Sequence, residues 1–148
     1  MKSLPELVAG GPGHLHNSRD LNPVFRSIDP QHPSCALAVV MDHYWIQAVD
    51  PRYVTTLDVS DPGRPREVAR LELEPKDDPH WLAREPYGRR IVITGGSPLK
   101  TDGLFGRVLI ASVGVDGKIT LDPRLKDPAM GKAGIRLDRA SAHGAVLG

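Results

Sequence analysis

Short runs in which apolar and polar positions alternate, cut by Gly and Pro, make up most of this chain. Residues 53–60 alternate cleanly. Tyr53, Thr55, Leu57 and Val59 fall on one side, and Val54, Thr56, Asp58 and Ser60 on the other, as successive side chains of a strand must. Residues 67–73 set Glu67, Ala69, Leu71 and Leu73 against Val68, Arg70 and Glu72, a pattern that suits an outer strand with one wet face. Residues 35–45 are apolar on both faces and predict one continuous middle strand covered on both sides. Residues 79–84 predict a short inner strand closed by the turn Glu85-Pro86-Tyr87-Gly88, and a dense β-branched run follows over 90–94. Residues 107–113 and 118–121 flank Asp116-Gly117, a dipeptide that accepts the positive φ of a hairpin turn. Helical periodicity free of Pro and Gly is not sustained over ten residues anywhere.

The pattern recurs. Segments 37–44, 53–60 and 67–73 are followed by 90–95, 107–113 and 118–121, with 54 residues from Leu37 to Ile91, 54 from Val54 to Val108 and 51 from Val68 to Ile119. A β-rich recurrence of that length belongs to radially repeated sheets. The expected fold is all-β, a partial β-propeller of about two four-stranded blades plus a stub of a third, with residues 135–147 opening the stub. An irregular segment over 1–34, with 24–28 as the remnant of an inner strand, precedes the propeller domain over 35–148. Long loops are expected over 95–106 and 123–134. Closed propellers have about four to eight blades, so the expectation is a truncated or divided disc. Its further blades come from another chain or from self-association.

Composition narrows the classes. At 40% hydrophobic and 25% charged residues the chain can build a core rather than stay disordered. Its 14 prolines and 15 glycines suit short strands and tight turns. The 19 basic residues are scattered among 18 acidic ones, for a net charge of +1, which argues for no nucleic-acid partner and no anionic membrane surface. Neither a hydrophobic signal core nor a run of ~20 apolar residues is present, and a cytoplasmic location is the default expectation. The lone Cys35 has no partner for an internal disulfide and reads as a buried, inert thiol leading an apolar strand.

Two histidines carry the sharpest chemical signal: His80 in Asp77-Asp78-Pro79-His80-Trp81, and His143 in Ala142-His143-Gly144-Ala145-Val146. Each begins a predicted inner strand, the strand that lines a propeller's axis, and the 63 residues between them place them on adjacent blades. Converging imidazoles would suit Cu, Zn, Fe or Ni, so His80 and His143 are candidate metal ligands. The alternative is a turn role, each ring bonded to backbone carbonyls. Asp77-Asp78 either forms the turn, bonds the inner strand's backbone, or orients His80. His14 and His16 share one face of an extended segment, within a Gly-rich stretch that reads as an exposed loop. His43, beside Tyr44 and Trp45, reads as a packing residue. Gly-rich segments near Gly95 and Gly103 precede no helix, which argues against a dinucleotide or phosphate loop, and Ser97 and Ser141 lack a nucleophile elbow.

The runs Tyr53–Pro62, Asp78-Pro79-His80-Trp81-Leu82 and Arg90-Ile91-Val92-Ile93-Thr94-Gly95, with the closing Ile135–Arg139 and Ala142–Val146, resemble the C-terminal blades of the selenium-binding protein family, which includes methanethiol oxidases. The resemblance covers residues 36–148. It implies a β-propeller associated with copper, with His80 and His143 as metal ligands and a small thiol as substrate, oxidised to formaldehyde, hydrogen sulfide and peroxide. In bacterial members a Pro-His-Gly segment ends the chain; here Ala142 stands in place of that proline. The family's N-terminal half has no counterpart, and Cys35 sits in no matching motif. The alternative function is a non-catalytic propeller interaction or scaffold module, or an inactive fragment.

Overall fold

The structure, a computed structural model, describes residues 38–49, 53–74, 76–95 and 107–137, together with 142 and 145. Two antiparallel sheets and no helix make up the described residues, so none of them forms a helix long and apolar enough to cross a membrane. The first sheet is a meander of β1 (Ala38–Met41), β2 (Tyr44–Val49), β3 (Tyr53–Asp58) and β4 (Arg66–Glu72). The second repeats that order with β5 (Pro79–Arg84), β6 (Arg90–Gly95), β7 (Arg107–Val113) and β8 (Ile119–Leu121); β9 (Ile135–Arg136) also pairs with β7.

Two expectations need correction. The single strand over 35–45 is instead a hairpin, β1 and β2 joined at Asp42-His43, with Met41 paired to Tyr44. Asp42 takes a φ of 56°, a left-handed turn position that Asp accepts more readily than most residues. An apolar run broken by one Asp-His pair looks continuous in composition, although its backbone reverses. The second correction concerns 135–147. Most of that segment lies outside the described residues; its strand β9 pairs with the first half of β7, Arg107 to Arg136 and Val108 to Ile135, rather than lying apart from the second sheet, while β8 pairs with the second half. The segment expected as a plain loop over 123–134 is tied as well, by Asp127 N to Lys132 O at 3.0 Å and Gly134 N to Leu125 O at 2.8 Å.

The repeat is real, but its partners differ from those the composition suggested. β2, not the 37–44 run, corresponds to β6: Tyr44 pairs with Asp58, and Arg90, 46 residues on, pairs with Ser112, 54 residues after Asp58. Ile46 with Thr56 corresponds in the same way to Val92 with Ile110, and Gln47 with Thr55 to Ile93 with Leu109. Beyond β3 and β7 the 54-residue offset holds through the turn to Glu67 and Leu121, so Gly63 matches Gly117. Even the bond closing each unit recurs, Val59 N to His43 O at 2.9 Å and Val113 N to Arg89 O at 2.7 Å. The first part of each unit matches too, since Val39 faces Ile46 as Ala83 faces Val92.

Residues paired across strands share a face, which fixes how the sheets meet. Met41, Tyr44, Ile46, Ala48 and Val54 of the first sheet form one core with Leu82, Ile91, Ile93, Leu109, Ala111 and Val113 of the second. Ile46 corresponds to Val92, which lies on the other face of β6 from Ile91 and Ile93. Unlike faces therefore meet. β1 and β2 pack on β5, and β4 approaches β8, so first strands adjoin first strands and last adjoin last. Side chains pin the junction: Tyr44 Oη donates to Val115 O at 3.2 Å, and Arg84 Nη1 donates to Val40 O at 3.0 Å. Arg89 donates to Val113 O and Gly114 O at 2.8 and 2.9 Å and pairs with Asp42 across the two sheets. The other face of the first sheet holds a second cluster, Trp45, Leu57 and Val59 with Ala38 and Val40.

Candidate functional site

The segment joining the sheets, Leu73 to His80, is where the sequence placed the chemistry. It is organised by a carboxylate, not an imidazole. Asp77 N donates to Glu74 O at 2.8 Å and Glu74 N donates to Asp77 Oδ2 at 3.1 Å, closing a tight turn. The Asp77 carboxylate then meets the guanidinium of Arg107 at the head of β7, with Nε to Oδ1 at 2.8 Å and Nη2 to Oδ2 at 2.6 Å. Both side chains are buried, at 1% and 5% exposure, and such a pair holds only when the fork geometry is good. The third arm of Arg107, Nη1, donates to Ala133 O at 2.7 Å, and Nη2 also lies 3.3 Å from Glu74 Oε1. Lys132 Nζ completes the set on Glu74 Oε1 at 2.9 Å.

Charges here are held in their ionised forms. The Asp77 hydrogen bonds keep the Arg107 guanidinium above its ordinary range, against the opposing effect of burial. Lys132 foremost, with Lys76 and Arg107, lowers Glu74 below the usual carboxylate range. Farther along, the backbone N–H of Arg136 leads those of Met130 and Ala129 in lowering Asp127, and Arg124 holds Asp122 down to about 2. Asp122 and Asp127 hold the 122–136 segment to itself, while Arg107 and Lys132 tie it to β7 and the inter-sheet turn. They are structural ties.

The peptide after Asp77 is packed to backbone contact. Asp78 has a φ of 45°, and a Cβ on Gly95 would lie 1.9 Å from Asp78 O and 2.6 Å from Asp77 O. Only Gly lets β6 end against this turn. His80 follows at a β-bulge, since Pro79 pairs with Gly95 and Trp81 with the adjacent Thr94. A bulge breaks the alternation of a strand and re-aims a side chain. His80 is half-buried and engaged with its surroundings.

The residues singled out from the sequence separate accordingly. His80 begins β5 as expected, whereas His143, His14, His16 and Cys35 lie outside the described residues, so the convergence of His80 with His143 is not described either. His43 is at an exposed turn rather than in a strand, and its ring packs against Tyr44 with centroids 4.1 Å apart. Asp77 forms the expected turn and also anchors Arg107, a role its sequence neighbours do not announce. The signal available is weak: an Asp pair before a strand and an Arg opening another, 30 residues apart. Among the described residues no group of three or more His, Cys, Asp or Glu side chains is arranged to hold a metal ion.

No family model, curated protein or solved structure matches this chain.

Proposed function

We propose that this chain is a pair of adjacent β-propeller blades, serving as an interaction module that is completed by further sheets packed on its outward faces. One observation carries this reading: two register-equivalent meanders meet through unlike faces. A two-fold sandwich brings like faces together and is then finished. Contact between unlike faces leaves each outer face ready to repeat it, until the series closes as a ring. The adjacency of β1 with β5 and of β4 with β8 supports the same fan-like order. Methyl–methyl nuclear Overhauser effects test it. Contacts are expected between Ile46 or Val54 and Ile93 or Leu109, and contacts of Ile46 with Val92 or Ile110 instead would overturn the reading.

A second reading rests on the bulge that takes His80 out of alternation at the start of β5. Following the resemblance to selenium-binding proteins and methanethiol oxidases, His80 would offer its imidazole to copper, with His143 as a second ligand and a small thiol as substrate. The described donors do not make a complete copper shell, because Asp77 is already engaged by Arg107 and no group of three ligands forms around His80 among the described residues. Copper titration of the whole chain, His80→Ala and His143→Ala decides this. Loss of bound copper in both variants is expected on this reading, and unchanged copper content in both removes it.

A further inference from the structure

We infer that the outward face of the second sheet docks the first sheet of a second copy of this chain, in the geometry that already joins the two sheets within it. The inference rests on the propeller reading above and names the partner and the surface.

That outward face has an apolar centre, edged by Arg90, Thr94, Ser112 and Thr120. Trp81, Ala83, Val92, Val108 and Ile110 lie on it, and all but Val92 are half-buried rather than buried. Register equivalence states what it is built to meet. Within the chain, Val39, Ile46 and Val54 of the first sheet pack against the second. Their equivalents on the outward face of the second sheet, Ala83, Val92 and Val108, are apolar too, while Met41, Tyr44 and Ala48 correspond to Glu85, Arg90 and Thr94. Where β1 and β2 lie on β5 inside the chain, β5 and β6 would lie on β1 of the next copy. There Ala38 and Val40, on the face away from the second sheet and beside the polar pair Gln47 and Thr55, are half-buried and thus accessible. The polar contact of the junction has a counterpart as well. Tyr44, whose hydroxyl reaches Val115 O, corresponds to Arg90, and Val115 corresponds to Asp61. Docking therefore brings Arg90, exposed and paired within its own chain with Glu85, to the exposed hairpin that carries Asp61 in the second copy. A head-to-tail contact of this kind uses two different patches on each copy, so it closes into a ring or extends as a chain.

Sedimentation of the full chain across a concentration series tests this, with Ala83→Glu blocking one patch and Ala38→Glu the other. Self-association is expected for the unchanged chain, with at least a tenfold weaker dissociation constant for each variant alone. An equimolar mixture of the two variants should form a capped 1:1 dimer, because each retains the patch the other lacks. Should the Glu variants fold poorly by circular dichroism, Arg90→Glu and Asp61→Arg replace them: each weakens association alone, and the double variant restores it. A chain that stays monomeric at every concentration overturns the inference and leaves the propeller reading standing. Association that survives in Ala38→Glu, is lost in Ala83→Glu and yields no mixed dimer of the two variants means that like faces pair. That result overturns the inference and the propeller reading together.

Discussion

Gln47 and Thr55 lie side by side in the middle of the first sheet, on the face turned away from the second; at the equivalent positions the second sheet has Ile93 and Leu109, which build the shared core. Around Gln47 and Thr55 the first sheet carries a polar set. Trp45 Nε1 donates to Gln47 Oε1 at 3.0 Å, Thr55 Oγ1 donates to Glu67 Oε1 at 2.9 Å, and Arg70 forks onto Glu67 while its guanidinium lies 4.0 Å from the Tyr53 ring. Over the 15 positions from Tyr53 to Glu67 and from Arg107 to Leu121, only Val54/Val108, Val59/Val113 and Gly63/Gly117 are identical. The difference teaches that strand pairing and turn length preserve the repeat, while each face is free to specialise. What tells the sheets apart is the chemistry that ties each one down.

The strongest way to break the comparison is at the tie found only in the second sheet. Arg107→Ala leaves Asp77 buried and unpaired, and should destabilise the chain by roughly 3–5 kcal/mol in urea unfolding, as loss of one partner of a buried pair does. Asp77→Ala should cost a similar amount. Replacing both by apolar residues should cost much less than the two single changes added together. If Arg107→Ala costs under about 1 kcal/mol, the clamp is not what holds β7 to the inter-sheet turn.

The matched glycines sharpen the comparison at a smaller scale. Gly117 has a φ of 79°, and a Cβ there would come within 2.8 Å of Tyr44 Cε1 and 3.0 Å of Val68 Cγ2. Gly63 has no positive φ, and its added Cβ would meet only Asp61 Oδ1 at 3.3 Å. Gly117→Ala should therefore lose roughly 1–3 kcal/mol through backbone strain and crowding. Gly63→Ala should stay within about 0.5 kcal/mol of the parent. Equal losses at both positions would show that the two hairpins play the same part in packing, contrary to the contacts around Gly117.

How much of this is legible in the sequence depends on the range of the signal. Alternation and turn residues are local, and β3, β4, β5, β6 and the β7–β8 hairpin fall where those patterns place them. The β1–β2 hairpin escapes such a reading because Met41 and Tyr44 are both apolar, and a two-residue turn at Asp42-His43 leaves no Gly or Pro behind. The 54-residue spacing is readable, but β2 corresponds to β6 at 46 residues, and the longer connection between β6 and β7 absorbs the difference. The Asp77–Arg107 pair is a long-range event with no periodic trace. His80 falls on its expected strand, yet its bulge depends on Gly95 meeting the Asp77 and Asp78 carbonyls, which only the folded turn brings about.

The smallest expected effect runs in the stabilising direction. Thr56 lies on the core-facing side of the first sheet, opposite Ile46 and Ala69, and is fully buried, with its hydroxyl lacking a hydrogen-bond partner among the described residues. Its equivalent in the second sheet is Ile110, half-buried on the outward face. A buried hydroxyl that finds no partner forfeits the hydrogen bonds it had with water, a cost of roughly 1–3 kcal/mol. Thr56→Val keeps the β-branched shape that suits a strand and removes that cost, so the urea midpoint should rise by the equivalent of about 1 kcal/mol. Thr56→Ile copies the second sheet's residue but adds a methylene to a filled core, and should lose about 1–3 kcal/mol. A gain for Val with a loss for Ile identifies a position whose shape is fixed by the packed face while its polarity is not. A loss for Val as large as that for Ile would mean the hydroxyl is satisfied, and that the core-facing side of the first sheet tolerates Thr as readily as the outward face of the second tolerates Ile.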